Sequence, residues 1–317
     1  MDLSIILQVV LLLVGFVFLI KGSDFFVDGS SSIASILRIP TIIVGLTIVA
    51  FGTSAPEAAV SITSSLTGSN ALAVSNVIGS NLFNMLMVIG VAALLSNLLM
   101  EKSALKKDLP FLVGITALLS IFIVTGWCVS SIEGIVLLII LIAYLYFIIK
   151  DARKGENANE VVKPKYSLPM SIILILVGLV GIVLGGDLVV NSASAIALAL
   201  GMSETLVGLT IVAIGTSLPE LVTSITALKK GENQLVIGNV IGSNIFNILF
   251  VLGASSAISA IPLDPSLLVD VIFMMAVTIL CYIFGKTQEK YDKKEGIILI
   301  GLFVVYMAFA IARNYVF

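Results

Sequence analysis

Long apolar runs separated by short polar, lysine-bearing connections fill the chain. A helix needs about 20 largely apolar residues to cross a bilayer core of about 30 Å. On that measure ten spans are predicted, at 3–21, 40–66, 70–96, 109–126, 132–150, 167–186, 203–228, 233–259, 267–285 and 295–313. The second, third, seventh and eighth are long and carry Gly, Ser, Thr, Asn or Pro within them. These four are expected to be bent or broken. Pro56 and Pro219 bring no amide proton and each crowds the carbonyl four residues back, at Gly52 and Gly215.

Composition agrees with the pattern. Of 317 residues 59% are hydrophobic and 11% charged, and the mean hydropathy is +1.19. This belongs to an all-α, multi-pass protein of the cell membrane, with the lipid bilayer as its surroundings. Histidine is absent, which removes zinc-protease motifs, serine–histidine catalysis and histidine proton relays together. No paired aspartates or nucleophile with a base fall within the spans, so the reading is not an enzyme. Cys128 and Cys281 lie in or beside apolar segments and read as packing residues. Nothing points to nucleic acid, to a cofactor or to an obligate protein partner. The start, Met1-Asp2-Leu3-Ser4, lacks a basic region, so the first apolar run reads as a retained helix.

The basic residues orient the chain. With the N-terminus outside, sixteen of the seventeen Lys and Arg fall in cytoplasmic connections, Arg313 being the exception, and both termini are outside. The charged stretch Asp151–Lys165 reads as a cytoplasmic linker. It divides the chain into a first five-helix repeat over 1–150, a linker over 151–166 and a second five-helix repeat over 167–317.

The repeat is explicit. Gly45-Leu-Thr-Ile-Val-Ala-Phe-Gly-Thr-Ser-Ala-Pro-Glu57 returns as Gly208-Leu-Thr-Ile-Val-Ala-Ile-Gly-Thr-Ser-Leu-Pro-Glu220, 163 positions later. The same shift carries Asn76-Val-Ile-Gly-Ser-Asn-Leu-Phe-Asn84 onto Asn239-Val-Ile-Gly-Ser-Asn-Ile-Phe-Asn247, and Ser23-Asp24 onto Gly186-Asp187. Five spans is an odd number, so the second copy enters the membrane from the opposite side. An inverted repeat with broken helices places ion sites near the midplane.

Each copy of the first motif ends in a carboxylate deep in apolar sequence. Burial there costs about 2.5–3.5 kcal/mol on insertion scales and marks a functional site by default. Thr53 and Thr216 lie four residues before Glu57 and Glu220, and Ser80–Asn84 and Ser243–Asn247 repeat that spacing, so each pair shares a helix face. Two carboxylates, threonines, serines and asparagine amides form an oxygen set that suits a hard cation such as Ca²⁺. Two like charges are relieved only by a divalent ion, by monovalent ions or by protons. That exchange is a physical basis for antiport. Each feature has a plainer reading. The glycines at 45, 52, 79, 90, 208, 215, 242 and 253 can serve close helix packing. The hydroxyls can bond their own backbone, and Asn81 and Asn244 can clasp helices. Asp24, Asp28 and Asp187 read as interfacial helix-end residues, and Glu133, Glu204, Asp264 and Asp270 as solvated ends or cation attractors on the outer face.

At GTSAPE and GTSLPE, followed by GSNLFN and GSNIFN, the chain resembles the calcium/cation antiporter superfamily, most closely its prokaryotic sodium/calcium exchangers. The resemblance implies ten helices, outward termini and exchange of Ca²⁺ against Na⁺ by alternating access. Glu57 and Glu220 would then be shared central ligands, and Thr53 and Thr216 would serve the calcium site. Ser54, Ser80, Ser217 and Ser243, with the Ala50 and Ala213 carbonyls, would complete sodium sites. The helices 3–21 and 167–186 would slide across this core. One departure stands out. Many members carry aspartate where this chain has Asn247, and here both Asn84 and Asn247 are neutral. A site charge of −2 favours electroneutral exchange and leaves a proton-coupled exchanger, or another divalent cargo, as the alternative.

Overall fold

The computed structural model describes residues 3–67, 70–154, 163–202, 207, 210–211, 213–263 and 267–316. In chain order the helices are α1 (Leu3–Leu37), α2 (Thr41–Thr53), α3 (Ala55–Leu66), α4 (Leu72–Leu95), α5 (Ala104–Gly126), α6 (Ser131–Lys154), α7 (Leu168–Ala199), α8 (Ala213–Gly215), α9 (Leu218–Lys229), α10 (Asn233–Ile258), α11 (Leu267–Gln288) and α12 (Lys293–Val316). Among the described residues eight helices are long and apolar enough to cross a membrane, nine if the bent pair α2–α3 counts as one span. The expected span 203–228 falls partly outside the described residues, as do Gly208, Glu204 and Asp264.

Proline acts as expected on α2–α3. The axis turns by 49° at Ser54, where the backbone leaves helical geometry (φ −83°, ψ 7°). The same break recurs at Ser217 (φ −95°, ψ 5°). By contrast α4 and α10, also expected to be broken, run through. They contain no proline, and each accommodates its polar motif by widening into a π turn, at Asn84–Val88 and Asn247–Leu252. Such turns cluster at functional sites.

Every residue of α10 from Leu235 to Phe246 is buried, so this helix is central. It touches α2 backbone to backbone: a Cβ on Gly238 would lie 2.5 Å from the Ile42 carbonyl and 2.9 Å from Gly45 Cα. On the outside, α1 lies along α7 in a similarly close fit, with a Cβ on Gly178 meeting Phe26 N at 2.6 Å.

Both outer helices are longer than their apolar runs suggested, 35 residues for α1 and 32 for α7. Asp24, Asp28 and Asp187, expected at helix ends, therefore lie inside helices, and Lys21 sits within α1 instead of a connection. The extension of α1 is stabilised by ion pairs. Lys230 reaches Asp28 at 2.9 Å and Asp24 at 3.5 Å, Lys165 reaches Asp28 at 2.9 Å, and Ser31 bonds Glu232.

Matched contacts relate the two copies of the repeat, and beyond residue 100 the shift falls to 162. Two short antiparallel ladders are exchanged between them: Leu98–Leu99 (β1) pairs with Lys290–Tyr291 (β4), and Cys128–Val129 (β2) with Ile261–Pro262 (β3). Tyr144 donates to Asp108 and stacks on Phe111; Tyr306 donates to Asp270 and stacks on Phe273. Glu133 accepts from Ser130 N–H at 2.7 Å, and Glu295 from Asp292 N–H at 3.0 Å, closing equivalent helix caps. Glu133 is thus a capping residue. Asp270 is buried against Arg313 at 2.8 Å, which accounts for the one arginine that broke the charge rule.

Candidate ion-binding site

Ser54 and Ser217 occupy the N-cap positions of α3 and α9, with Glu57 and Glu220 in the first turns behind them. Ser-x-x-Glu is the spacing of a capping box, in which both side chains close on their own helix. Here the partners are exchanged. Ser54 Oγ donates to Glu220 Oε1 at 3.1 Å, and Ser217 Oγ donates to Glu57 Oε1 at 3.1 Å. Neither serine caps its own helix. A second hydroxyl supports each carboxylate, Ser80 to Glu57 at 3.3 Å and Ser243 to Glu220 at 3.5 Å.

Both carboxylates are fully buried, at 0% exposure. Each sits in the first turn of a helix, where the dipole and free amides favour negative charge. No lysine or arginine hydrogen-bonds to either one among the described residues.

The flanking polar residues form a matched second layer. Thr53 Oγ1 donates to Asn239 Oδ1 at 3.0 Å, and Thr216 Oγ1 to Asn76 Oδ1 at 3.4 Å. Asn76 and Asn239 then donate to Ser61 and Ser224, both at 3.0 Å, and to the backbone carbonyls of Glu57 and Glu220. Sequence reasoning placed Asn76 and Asn239 in the repeat but not at the site. Their spacing of four from Ser80 and Ser243 was the available signal.

Asn84 Nδ2 donates to Asn244 Oδ1 at 3.2 Å, and Asn247 Nδ2 to Asn81 Oδ1 at 3.1 Å. Asn81 and Asn244 each donate to the other's backbone carbonyl at 3.5 Å, which makes them the helix clasp. The Ala50 carbonyl accepts Ser54 N–H at 3.0 Å and the Thr53 hydroxyl at 3.4 Å. The second copy differs here: Ser217 N–H goes to Ile214 O at 3.1 Å, not to Ala213. Ala213 begins α8.

Among these glutamates and asparagines four buried acceptors are left over. Glu57 Oε2, Glu220 Oε2, Asn84 Oδ1 and Asn247 Oδ1 have no hydrogen-bond partner among the described residues. Leaving a buried acceptor unsatisfied costs about 1–3 kcal/mol, more if it is charged. Four such oxygens, two from each copy, are complementary to a positive charge. No grouping of three or more His, Cys, Asp or Glu occurs among the described residues, so neutral oxygens would make up most of any coordination shell here.

The family model for the sodium/calcium exchanger protein matches residues 7–150 and 170–312. The chain belongs to the sodium/calcium exchanger family. It is 39% identical over 309 residues to the putative antiporter CaxA of Alkalimonas amylolytica, covering 94% of this chain and 96% of that protein. It is 32% identical to the sodium/calcium exchanger MaX1 of Methanosarcina acetivorans, covering 94% and 96%. Among solved structures it superposes on the sodium-calcium exchanger NCX_Mj with a TM-score of 0.85 at 34% identity, covering 96% of this chain and 99% of that one. This exchanger-family protein is therefore a cation antiporter and a multi-pass integral membrane protein.

Proposed function

We propose that the protein exchanges Ca²⁺ for Na⁺ by alternating access, with both ions held by Glu57 and Glu220. Thr53, Thr216, Ser54, Ser217, Ser80, Ser243, Asn84, Asn247 and the carbonyls of Ala50 and Ala213 complete the set. The observation that carries this reading is the quartet of orphaned acceptors, two of them carboxylate oxygens. One divalent ion balances both charges. Without it, two monovalent ions must, because no Lys or Arg hydrogen-bonds to either carboxylate among the described residues and the helix dipoles offer only partial charges. NCX_Mj, a structural relative, has been studied soaked with Na⁺ and Ca²⁺, which favours the same cargo here.

The reading includes ten spans in two inverted five-helix repeats, 1–150 and 167–317, with both termini outside. The exchanged ladders and exchanged serine–glutamate bonds support two equivalent halves facing one another. Asn247 and Asn84 favour a second reading for the counter-ion: with only two formal charges, two protons would neutralise the site as well as two sodium ions. ⁴⁵Ca²⁺ uptake into proteoliposomes separates the two. Uptake under a sodium gradient at constant pH is expected. Uptake driven by a proton gradient alone would replace the sodium reading, and uptake with neither gradient would remove antiport altogether.

A further inference from the structure

We propose that the recess between α5 and α11 binds the phosphodiester headgroup of an anionic phospholipid. The recess, about 590 Å³, is lined by Lys102, Leu105, Lys106, Tyr282, Lys286 and Glu289. It opens where α5 begins and α11 ends, beside the β1–β4 ladder, so it sits at the level where a bilayer presents its phosphates.

The opposite pole shows that the fold does not require these charges. There the β2–β3 ladder repeats the backbone, and Trp127 (φ 48°) matches Glu289 (φ 53°) as a left-handed residue after the helix. Yet the positions equivalent to Lys106 and Lys286 by the 162-residue shift are Leu268 and Val124. Lys102 likewise corresponds in sequence to Asp264, so none of the three lysines recurs at its equivalent position.

Those ammonium groups also lack carboxylate partners. Lys107, Lys165 and Lys230 all form ion pairs. Lys102, Lys106 and Lys286 form none within 4.0 Å among the described residues. Lys102 and Lys106 are like charges one helical turn apart, a mutually unfavourable spacing that an anion would relieve. Lys286 lies 5.7 Å over the ring of Tyr282, and both line the recess.

An exposed apolar strip on the same helix as Lys286 favours a lipid as the ligand. Ile279 and Ile283, 40% and 48% exposed, precede Lys286 by seven and three residues and share its helix face toward the bilayer. An acyl chain lying along them brings its phosphate to the lysines. Basic pockets between spanning helices recognise anionic headgroups in this way. Glu289 leaves the recess a net charge of +2, enough to attract a singly charged diester.

The test uses the full chain in neutral detergent, titrated with phosphatidylglycerol, with phosphatidylcholine and with inorganic phosphate, and read by native mass spectrometry. Phosphatidylglycerol should be retained at much lower concentration than phosphatidylcholine. The triple change K102Q/K106Q/K286Q should weaken its retention about tenfold or more. K293Q/K294Q removes two exposed lysines at the same pole but outside the recess, and should leave retention unchanged. Wild-type retention by the triple variant overturns the site. An equal loss in the control pair reduces the effect to diffuse surface charge and overturns it as well. Displacement of the lipid by millimolar inorganic phosphate would assign a free-phosphate site instead. If the triple variant is not recovered folded, K286Q alone is read against the control in the same way.

Discussion

Ser217 Oγ lies 3.1 Å from Glu57 Oε1, joining residues 160 positions apart. Its counterpart, Ser54 to Glu220, is equally long. Each carboxylate is therefore positioned by the helix cap of the other copy. Neither half can move its carboxylate independently, so displacement of one broken helix is felt at both glutamates.

Replacing Glu57 or Glu220 with Gln removes half of the site charge while keeping its shape. Each variant should insert and fold, and should lose calcium flux by about 100-fold or more, since interactions with charged groups contribute about 1.5–3 kcal/mol each and two ions depend on the group. Proteoliposome ⁴⁵Ca²⁺ uptake, normalised to inserted protein, is the measurement. Near-normal flux in either variant would remove the carboxylates from the mechanism.

Ser54→Ala and Ser217→Ala each delete one hydroxyl donor to a carboxylate. A loss of about 1 kcal/mol, or about fivefold in calcium affinity, is expected for each. Both carboxylates would grip one ion, so the double variant should deviate from additivity by more than about 0.5 kcal/mol. Strict additivity in calcium titrations would place the two cross-links at independent sites.

Charge counting makes the transport cycle testable. With neutral Asn84 and Asn247, two Na⁺ should exchange for one Ca²⁺, and uptake should not respond to an imposed membrane potential. Asn247→Asp adds a third charge beside an orphaned oxygen, at the cost of the Nδ2 bond to Asn81. Any transport that survives in this variant should become potential-sensitive. A wild-type protein whose uptake follows the potential would contradict the charge argument.

Arg313 is paired to Asp270, whose side chain is 4% exposed. Removing one partner of a buried ion pair costs about 3–5 kcal/mol, whereas removing both costs much less. Arg313→Ala should lower the thermal midpoint in detergent clearly, and Asp270→Asn on that background should restore most of it. If the double variant is no more stable than Arg313→Ala alone, the loss comes from packing and not from a stranded charge.

Much of the candidate site was legible because the repeat was written at a constant shift. Glu57, Glu220 and their hydroxyl neighbours stand out as oxygens in apolar sequence. Three things were hidden. The length of α1 was masked because Asp24 and Asp28 look like helix ends until Lys230 and Lys165 are seen to neutralise them. The exchanged caps were invisible because Ser-x-x-Glu is a local signal, and only tertiary structure shows that each serine serves the other glutamate. The Asp108–Tyr144 and Asp270–Tyr306 pairs escaped notice because a one-residue deletion moves their relation to 162.

One feature of the buried glutamates governs how the molecule must behave when at work. With neither Lys nor Arg bonded to them among the described residues, they take any full counter-charge from whatever is aboard. A return trip with vacant seats would drag two naked anions through oil. Traffic in one direction is thereby obliged to be repaid by traffic in the other, and leakage is held down by solvation energy before any gate has to close.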